Sequence, residues 1–315
     1  MIKKRSCPSC GQSDYKVAFV KDGFKFAHCL NCRLMYLPEV LSENFHFSDD
    51  YYDEGELAEP EPMNERSVRG ERMSRLIAAM RRAFGTRKDL KILDVGCGKG
   101  WHLDFLRHKG YARIRGIEVN DKAARAALAR GLDVDLGFLE SHNYCAENFD
   151  VVYLDQVLEH LEDPKLVLGE TLRILKKGGL VWASVPNIDA WHIRLRLGTK
   201  HRHFEGHTHL NYFTCGTLKR FFEQSGFRVQ RLGTYLEEVT LQRLKGVLFN
   251  PGDFDIPAIQ KYKKAEMAAP PKKELPKASL KKWVGRLTAP VNFPLVRATR
   301  LLRRGAYLEI VARRP

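Results

Sequence analysis

The chain has 315 residues, 44% of them hydrophobic, and a formal net charge of +15. This is enough apolar material for a sizeable core in two domains, or in one large domain with attachments. No apolar run approaches the ~18–20 residues of a membrane-spanning helix, and Met1-Ile2-Lys3-Lys4-Arg5 meets Ser6-Cys7-Pro8 without a signal-peptide core, so a soluble, cytoplasmic protein is expected.

The charge is unevenly spread. Residues 261–315 hold fifteen Lys and Arg against Glu266, Glu274 and Glu309, which leaves the rest of the chain near neutral. A basic end on a neutral body fits an attachment device better than a face for gripping duplex nucleic acid.

In chain order, Cys7-Pro-Ser-Cys10 and Cys29-Leu-Asn-Cys32 are separated by eighteen residues. Paired C-x2-C turns at this distance place four thiolates at tetrahedral corners, so residues 1–40 read as a zinc ribbon with Cys7, Cys10, Cys29 and Cys32 as ligands. A redox dithiol is the alternative, but no strand–helix context follows either pair. Tyr15, Phe19, Phe24, Phe26 and Tyr36 could stack bases, yet so small a unit needs them as its core. Cys97, Cys145 and Cys215 are scattered and read as reduced thiols.

Residues 41–65, acidic, aromatic and broken by Pro60 and Pro62, read as a connector. Met73, Ile77 and Met80 then recur at helical spacing, and a helix is expected from Arg66 to Phe84. Strand and helix signals alternate from there: strands at 91–95, 113–119, 132–136, 149–155 and 180–186, with helices at 101–108 and 121–130. Asp163 caps a further helix with Pro164 in its first turn, and Thr214 caps another running to Ser225. Strands at 226–235 and 306–314 complete the pattern. This alternation predicts an α/β, doubly wound sheet over 66–235, closed by a last strand at 305–315.

In such a sheet the ligand sits at the carboxyl ends of the strands, where their order reverses. Asp94 lies there, followed by Gly96, Gly98 and Gly100 in a G-x-G-x-G turn, and Glu118 ends the next strand. A carboxylate at that point can accept both ribose hydroxyls. Lys99 has no Ser or Thr after it, so a triphosphate-binding loop is poorly supported. An adenosine without a pyrophosphate remains, which points to S-adenosylmethionine.

The segments LDVGCGKG, GIEVN, FDVVYLDQVLEHLEDP and LKKGGLVWASVPN resemble the motifs of class I S-adenosylmethionine-dependent methyltransferases, over about residues 60–235 and the last strand. The resemblance implies a Rossmann-like sheet in which Asp94, Gly96 and Gly98 line the methionine end of the cofactor, Gly100 belongs to the same cofactor-binding turn, Glu118 meets the ribose, and Asp155 and Gln156 form the floor near the sulfonium. Phe138 stands where many members carry an acidic or small polar residue after the third strand. CPSCG, CLNC, YYDEGE and GHTHLNYFTCGTLKRFFEQSGF are similar to a bacterial subgroup related to ubiquinone-biosynthesis O-methyltransferases. Members of that subgroup often carry an N-terminal zinc ribbon and are frequently associated with surface-polysaccharide or lipid-linked sugar modification. Relatives of the ubiquinone type carry an E-x-x-E-H pattern able to bind a divalent metal; here Gln156 replaces its first acid, while Glu159 and His160 are kept.

Methyl transfer from a sulfonium is an in-line displacement, and a hydroxyl acceptor needs a base. His160 is a candidate, though a histidine that merely packs the loop reads the same way. The stretch WHIRLRLGTKHRHFEGHTHLNYF offers His192, His201, His203, His207 and His209 with Arg194, Arg196, Lys200 and Arg202. It reads as an acceptor lid with His207 or His209 as base and the cations for an anionic group; a solvated basic loop is the alternative.

Residues 236–304 read as a basic helical and linker insertion in which Leu280, Trp283, Val284 and Leu287 form an apolar stripe among lysines. Peripheral contact with anionic lipid at the inner membrane face and packing on the body fit that stripe equally. The preferred expectation is O-methylation of a small or lipid-linked acceptor. The alternatives are an RNA methyltransferase that uses its ribbon, a non-catalytic binding module of the same fold and, more remotely, an NAD oxidoreductase.

Overall fold

The computed structural model describes residues 2–41, 68–190, 193, 203–235 and 305–315. The connector over 41–65, save Leu41, and the basic insertion at 236–304 lie outside the described residues, as do His192, Arg194, Arg196, Lys200, His201 and Arg202.

The main sheet is built from β6 (Ile92–Val95), β7 (Ile114–Glu118), β8 (Val134–Leu136), β9 (Phe149–Asp155), β10 (Leu175–Pro186), β12 (Arg228–Tyr235) and β13 (Tyr307–Arg313). Its order is β12-β13-β10-β9-β6-β7-β8. β6, β7, β8, β9 and β10 pair in parallel, whereas β13 runs antiparallel to both β10 and β12. Strand order reverses between β6 and β9, and there the ends of two neighbouring strands open a crevice.

Both faces of the sheet are covered at its centre, so successive side chains of β6 are all buried, as are those of β9 and β13 up to their last residues. On one face Ile92, Val151, Tyr153, Leu180 and Trp182 meet Met73, Leu76, Ile77 and Met80 of helix α1 (Val68–Phe84) and Phe105 and Leu106 of α2 (Trp101–His108). On the other, Leu93, Val152, Leu154, Val181 and Ala183 meet Val167 and Leu168 of α4 (Pro164–Ile174), and Leu218, Phe221 and Phe222 of α5 (Cys215–Gln224). The Ala-rich α3 (Asp121–Ala129) covers the β7–β8 end, with Ala124 and Ala127 against Leu103, Leu132 and Val134.

Local chemistry sets these boundaries. Asp163 Oδ1 accepts from the N–H groups of Lys165 and Leu166 at 3.0 and 3.2 Å, and Thr214 forms a reciprocal capping box with Thr217. β10 begins at Leu175, five residues before the expected strand, because its pairing with β9 shifts register between Leu175 and Leu180. The bulge carries the Lys-Lys-Gly-Gly turn within the strand.

The N-terminal unit is more closely tied to the body than a free module. β2 (Tyr15–Lys21), β3 (Phe24–Cys29) and β4 (Met35–Tyr36) form an antiparallel sheet whose fourth strand, β11 (Asn211–Tyr212), comes from the far side of the sequence. β1 (Ile2–Lys4) pairs with β5 (Glu39–Leu41). Phe26 and Tyr36 are fully buried, and Phe19 stacks on Phe26 at 4.5 Å between centroids, so these three serve as core, whereas Tyr15, expected there too, is 38% exposed. Arg220 Nη2 of α5 donates to Cys32 O at 2.8 Å, and Arg5 Nη2 donates to Asn211 Oδ1 at 2.6 Å.

Candidate active site

The glycine turn follows β6 directly. Gly96, Gly98 and Gly100 have φ of 69°, 53° and 79°, the left-handed region that glycine enters without penalty. A Cβ on Gly96 would stand 2.9 Å from Val157 Cγ2, so the turn is also closely packed. Glu118, at the end of β7 and 6% exposed, reaches back into it: Oε2 accepts from Gly98 N–H at 2.8 Å and Oε1 from Asn120 N–H at 2.9 Å. The carboxylate thus braces the turn, and each oxygen keeps a second lone pair for a ribose hydroxyl. Burial pushes its pKa up, against those backbone bonds.

Asp94 is 1% exposed, and neither carboxylate oxygen has a hydrogen-bond partner among the described residues. His102 Nδ1 is 3.4 Å away, and burial pushes the carboxyl up despite it. Asp155, ending β9, pairs with Arg72 Nη1 of α1 at 3.0 Å and lies 3.6 Å from His102 Nε2. Burial would raise Asp155, but the charges of Arg72 and His102 outweigh it and hold the carboxyl below its ordinary range. Gln156, at φ 58°, turns its amide onto Ser184, with Nε2 donating to Oγ at 3.0 Å. A cleft of ≈ 140 Å³ is lined by Gly96, Glu118, Val119, Phe138, Leu139, Glu140, Gln156, Val157 and His160, with Asp94 and Asp155 outside that lining. Its walls are mostly apolar around the carboxylates of Glu118 and Glu140, a lining that suits a purine and a ribose.

The loop after β9 carries the second group. Glu159 is 1% exposed, and both its carboxylate oxygens are without hydrogen-bond partners among the described residues. His160 Nε2 lies 3.9 Å from Glu159 Oε1, and the His160 and His209 rings are 4.9 Å apart between centroids. His160 Nδ1 meets Thr208 O at 2.8 Å and His209 Nδ1 meets His203 O at 2.9 Å. A carbonyl only accepts, so Nδ1 carries a proton in both rings, and Nε2 holds the lone pair whenever the ring is neutral. Burial pushes the His160 pKa down to about 4. About fifty residues of chain are spanned by hydrogen bonds: Leu210 N–H and Asn211 N–H donate to Glu159 O at 2.7 and 3.1 Å, and the Asn211 side chain donates through Nδ2 to Leu158 O and Leu161 O at 2.9 and 2.7 Å.

Sequence reasoning placed His160, His207 and His209 together as base candidates. The structure brings His160 and His209 together, whereas His207 is exposed, edge-on to Phe24 of the ribbon at 4.6 Å between centroids. Arg72, His102 and the unpartnered state of Glu159 had no signal in the sequence, since each depends on contacts between distant segments.

In the ribbon the four cysteine sulfurs lie within 4.8 Å of one another, with Cys7 to Cys32 and Cys10 to Cys29 both at 3.4 Å between Sγ atoms. A zinc ion with four bonds of ~2.3 Å separates its sulfurs by about 3.8 Å, so the donor set fits. Each knuckle closes on a left-handed residue, Gly11 at φ 75° and Arg33 at φ 62°.

The Methyltransferase domain family matches residues 67–232. The ubiquinone biosynthesis O-methyltransferase of Thiobacillus denitrificans is 36% identical over 107 residues, 32% of this chain and 46% of that protein. The protein of the same name from Idiomarina loihiensis is 26% identical over 192 residues, 56% of this chain and 75% of its own length. This chain therefore spans about half of the first relative and three quarters of the second. A solved S-adenosylmethionine dependent methyltransferase from Mesorhizobium loti is 14% identical, with a TM-score of 0.47 over 79% of this chain and 98% of its own. The sheet order, the left-handed glycine turn and the carboxylate ending β7 define a class I S-adenosylmethionine-dependent methyltransferase, and the chain belongs to the Methyltransferase domain family.

Proposed function

We propose that the protein O-methylates a small or lipid-linked acceptor, glycosidic or anionic, by in-line displacement at the methyl group of S-adenosylmethionine. The observation that carries this is that His160 is at once a wall of the cofactor cleft and a member of the Glu159–His160–His209 cluster. A hydroxyl held there stands beside the cofactor and meets imidazole Nε2 atoms able to receive its proton. Asp94, Gly96 and Gly98 take the methionine end, with Gly100 closing the same turn, Glu118 the ribose, and Asp155 with Gln156 the floor below the sulfonium. Zn2+ in the cysteine cluster is structural, holding the sheet that includes β11. The relatives' name supplies the oxygen as acceptor atom.

A lipid-linked acceptor accords with the basic segment, which would bring the enzyme to the inner face of a membrane. Among the described residues no helix is long and apolar enough to cross one. RNA is less favoured because Phe26 and Tyr36 are buried in the ribbon, which leaves Tyr15 as its exposed aromatic for stacking a base.

The test incubates the purified protein with methyl-labelled S-adenosylmethionine and a cell extract, then separates lipid, RNA and small-molecule fractions. Base-stable label in the lipid or small-molecule fraction is expected. Label confined to RNA, or none in any fraction from active cofactor-bound protein, would overturn the proposal.

A further inference from the structure

We propose that Asn211 and Arg5 are positioning residues for His160, so that the cysteine ribbon serves the reaction by aligning its base. Asn211 is 1% exposed and uses both ends of its side-chain amide. Nδ2 donates to Leu158 O at 2.9 Å and to Leu161 O at 2.7 Å, the carbonyls on either side of Glu159 and His160. Oδ1 accepts from Arg5 Nη2 at 2.6 Å. A guanidinium only donates, so Arg5 dictates that the amide oxygen faces the ribbon and that the NH2 faces the loop. Burial pushes the Arg5 pKa down to about 10, which leaves it a cation at neutral pH. Its Nε and Nη1 are enclosed without hydrogen-bond partners among the described residues, which costs stability. Local rules are broken in this way where a contact serves function.

The neighbours of Asn211 act on the same loop. Thr208 O accepts from His160 Nδ1–H at 2.8 Å, and Leu210 and Asn211 N–H both donate to Glu159 O. The ribbon fixes this segment in turn: Asn211 pairs with Tyr36 in the small sheet, and Leu37 N–H donates to Leu210 O at 3.0 Å. Hydrogen bonds therefore run from Arg5 and residues 36–37 through 208–211 to the His160 ring. Lys3 joins ribbon and loop by another route, to Glu162 Oε2 at 2.6 Å, but its side chain is 60% exposed and solvent screens the pair. A base must lie within hydrogen-bond reach of the proton it takes, and a misplacement of about 1 Å costs roughly 100-fold in rate. That His160 is the base rests on the proposed O-methylation; that Asn211 and Arg5 hold its ring does not.

Full-length protein with its ribbon zinc and 15N-labelled histidine is followed by NMR at the His160 Nδ1–H signal, assigned by its loss in His160→Gln. Asn211→Asp keeps an acceptor for Arg5 but sets an oxygen against the Leu158 and Leu161 carbonyls, and Arg5→Met frees the amide to turn. In both variants the signal should shift and exchange with water about 10-fold faster, the factor for one lost hydrogen bond. Transfer of methyl label to the lipid and small-molecule fractions of a cell extract should slow about 100-fold in Asn211→Asp, and about 10-fold in Arg5→Met, where Nδ2 still reaches the loop. S-adenosylmethionine affinity by isothermal titration should be retained in both, which a general loss of structure would not allow. Lys3→Ala should alter none of these readouts. An unchanged His160 signal in the folded variants, an equal response to Lys3→Ala, or a rate loss matched by lost cofactor affinity overturns the proposal. Should Asn211→Asp fail to fold, Arg5→Met decides by the same criteria. Altered signals with no labelled fraction from the wild type would support the positioning and count against O-methylation alone.

Discussion

Replacing Glu118 by Gln separates its two jobs from mere burial. In the wild type, one carboxylate accepts from Gly98 N–H at 2.8 Å and from Asn120 N–H at 2.9 Å. Glutamine keeps one acceptor oxygen and sets its NH2 against the other backbone N–H, so one bond is lost and two donors face each other. A hydrogen bond to a charged group contributes about 1.5–3 kcal/mol, and that much stability should disappear from the cofactor-free protein. The ribose loses its charged acceptor as well, and the same figure corresponds to roughly 10- to 150-fold weaker S-adenosylmethionine binding. Urea denaturation measures the first effect and isothermal titration with S-adenosylmethionine the second. A variant as stable as wild type that binds the cofactor within twofold would refute the reasoning, because it would show that Glu118 neither braces the turn nor touches the ribose.

Arg72→Met should destabilise by about 3–5 kcal/mol at neutral pH by stranding Asp155, its partner at 3.0 Å. The Asp155 carboxyl is held below its ordinary value in the folded protein, so its contribution is present above the unfolded pKa and fades as pH falls through the folded one. The gap between wild type and variant in urea should therefore narrow on acidification, and a pH-independent gap would count against the ion pair. Gly100→Ala should cost a few kcal/mol, since φ is 79° and a Cβ would collide with Leu132 Cδ1 and press on Ala127 Cβ at 3.2 Å; a melting temperature equal to wild type would contradict the packing. Removing the ribbon ion with a chelator should open residues 203–213 to protease before the main sheet, because β11 is held by β4. Uniform resistance along the chain would show that the cysteines do not support that segment.

Much of this was legible in the sequence where a local rule sufficed. Asp163 with Pro164 and Thr214 with Thr217 mark helix starts by contacts a few residues apart, and the short run from Lys91 to Val95 reads as a strand. The glycine turn and Glu118 were visible because a fixed backbone geometry demands small residues at fixed spacing. What the sequence concealed depends on distance along the chain. Arg72 and Asp155 meet across 83 residues, and β11 is two residues long, too short for any periodicity. The pairing of His160 with His209, and the separation of His207 from both, follow from Asn211 fastening one loop to another, which no local pattern encodes.

The most direct test of the cofactor cleft is ultraviolet crosslinking of methyl-labelled S-adenosylmethionine to the purified protein, followed by peptide mapping. Label should fall on peptides from 93–100, 118–140 or 153–161, and S-adenosylhomocysteine should suppress it. Label elsewhere, or suppression by NADH instead, would contradict the account.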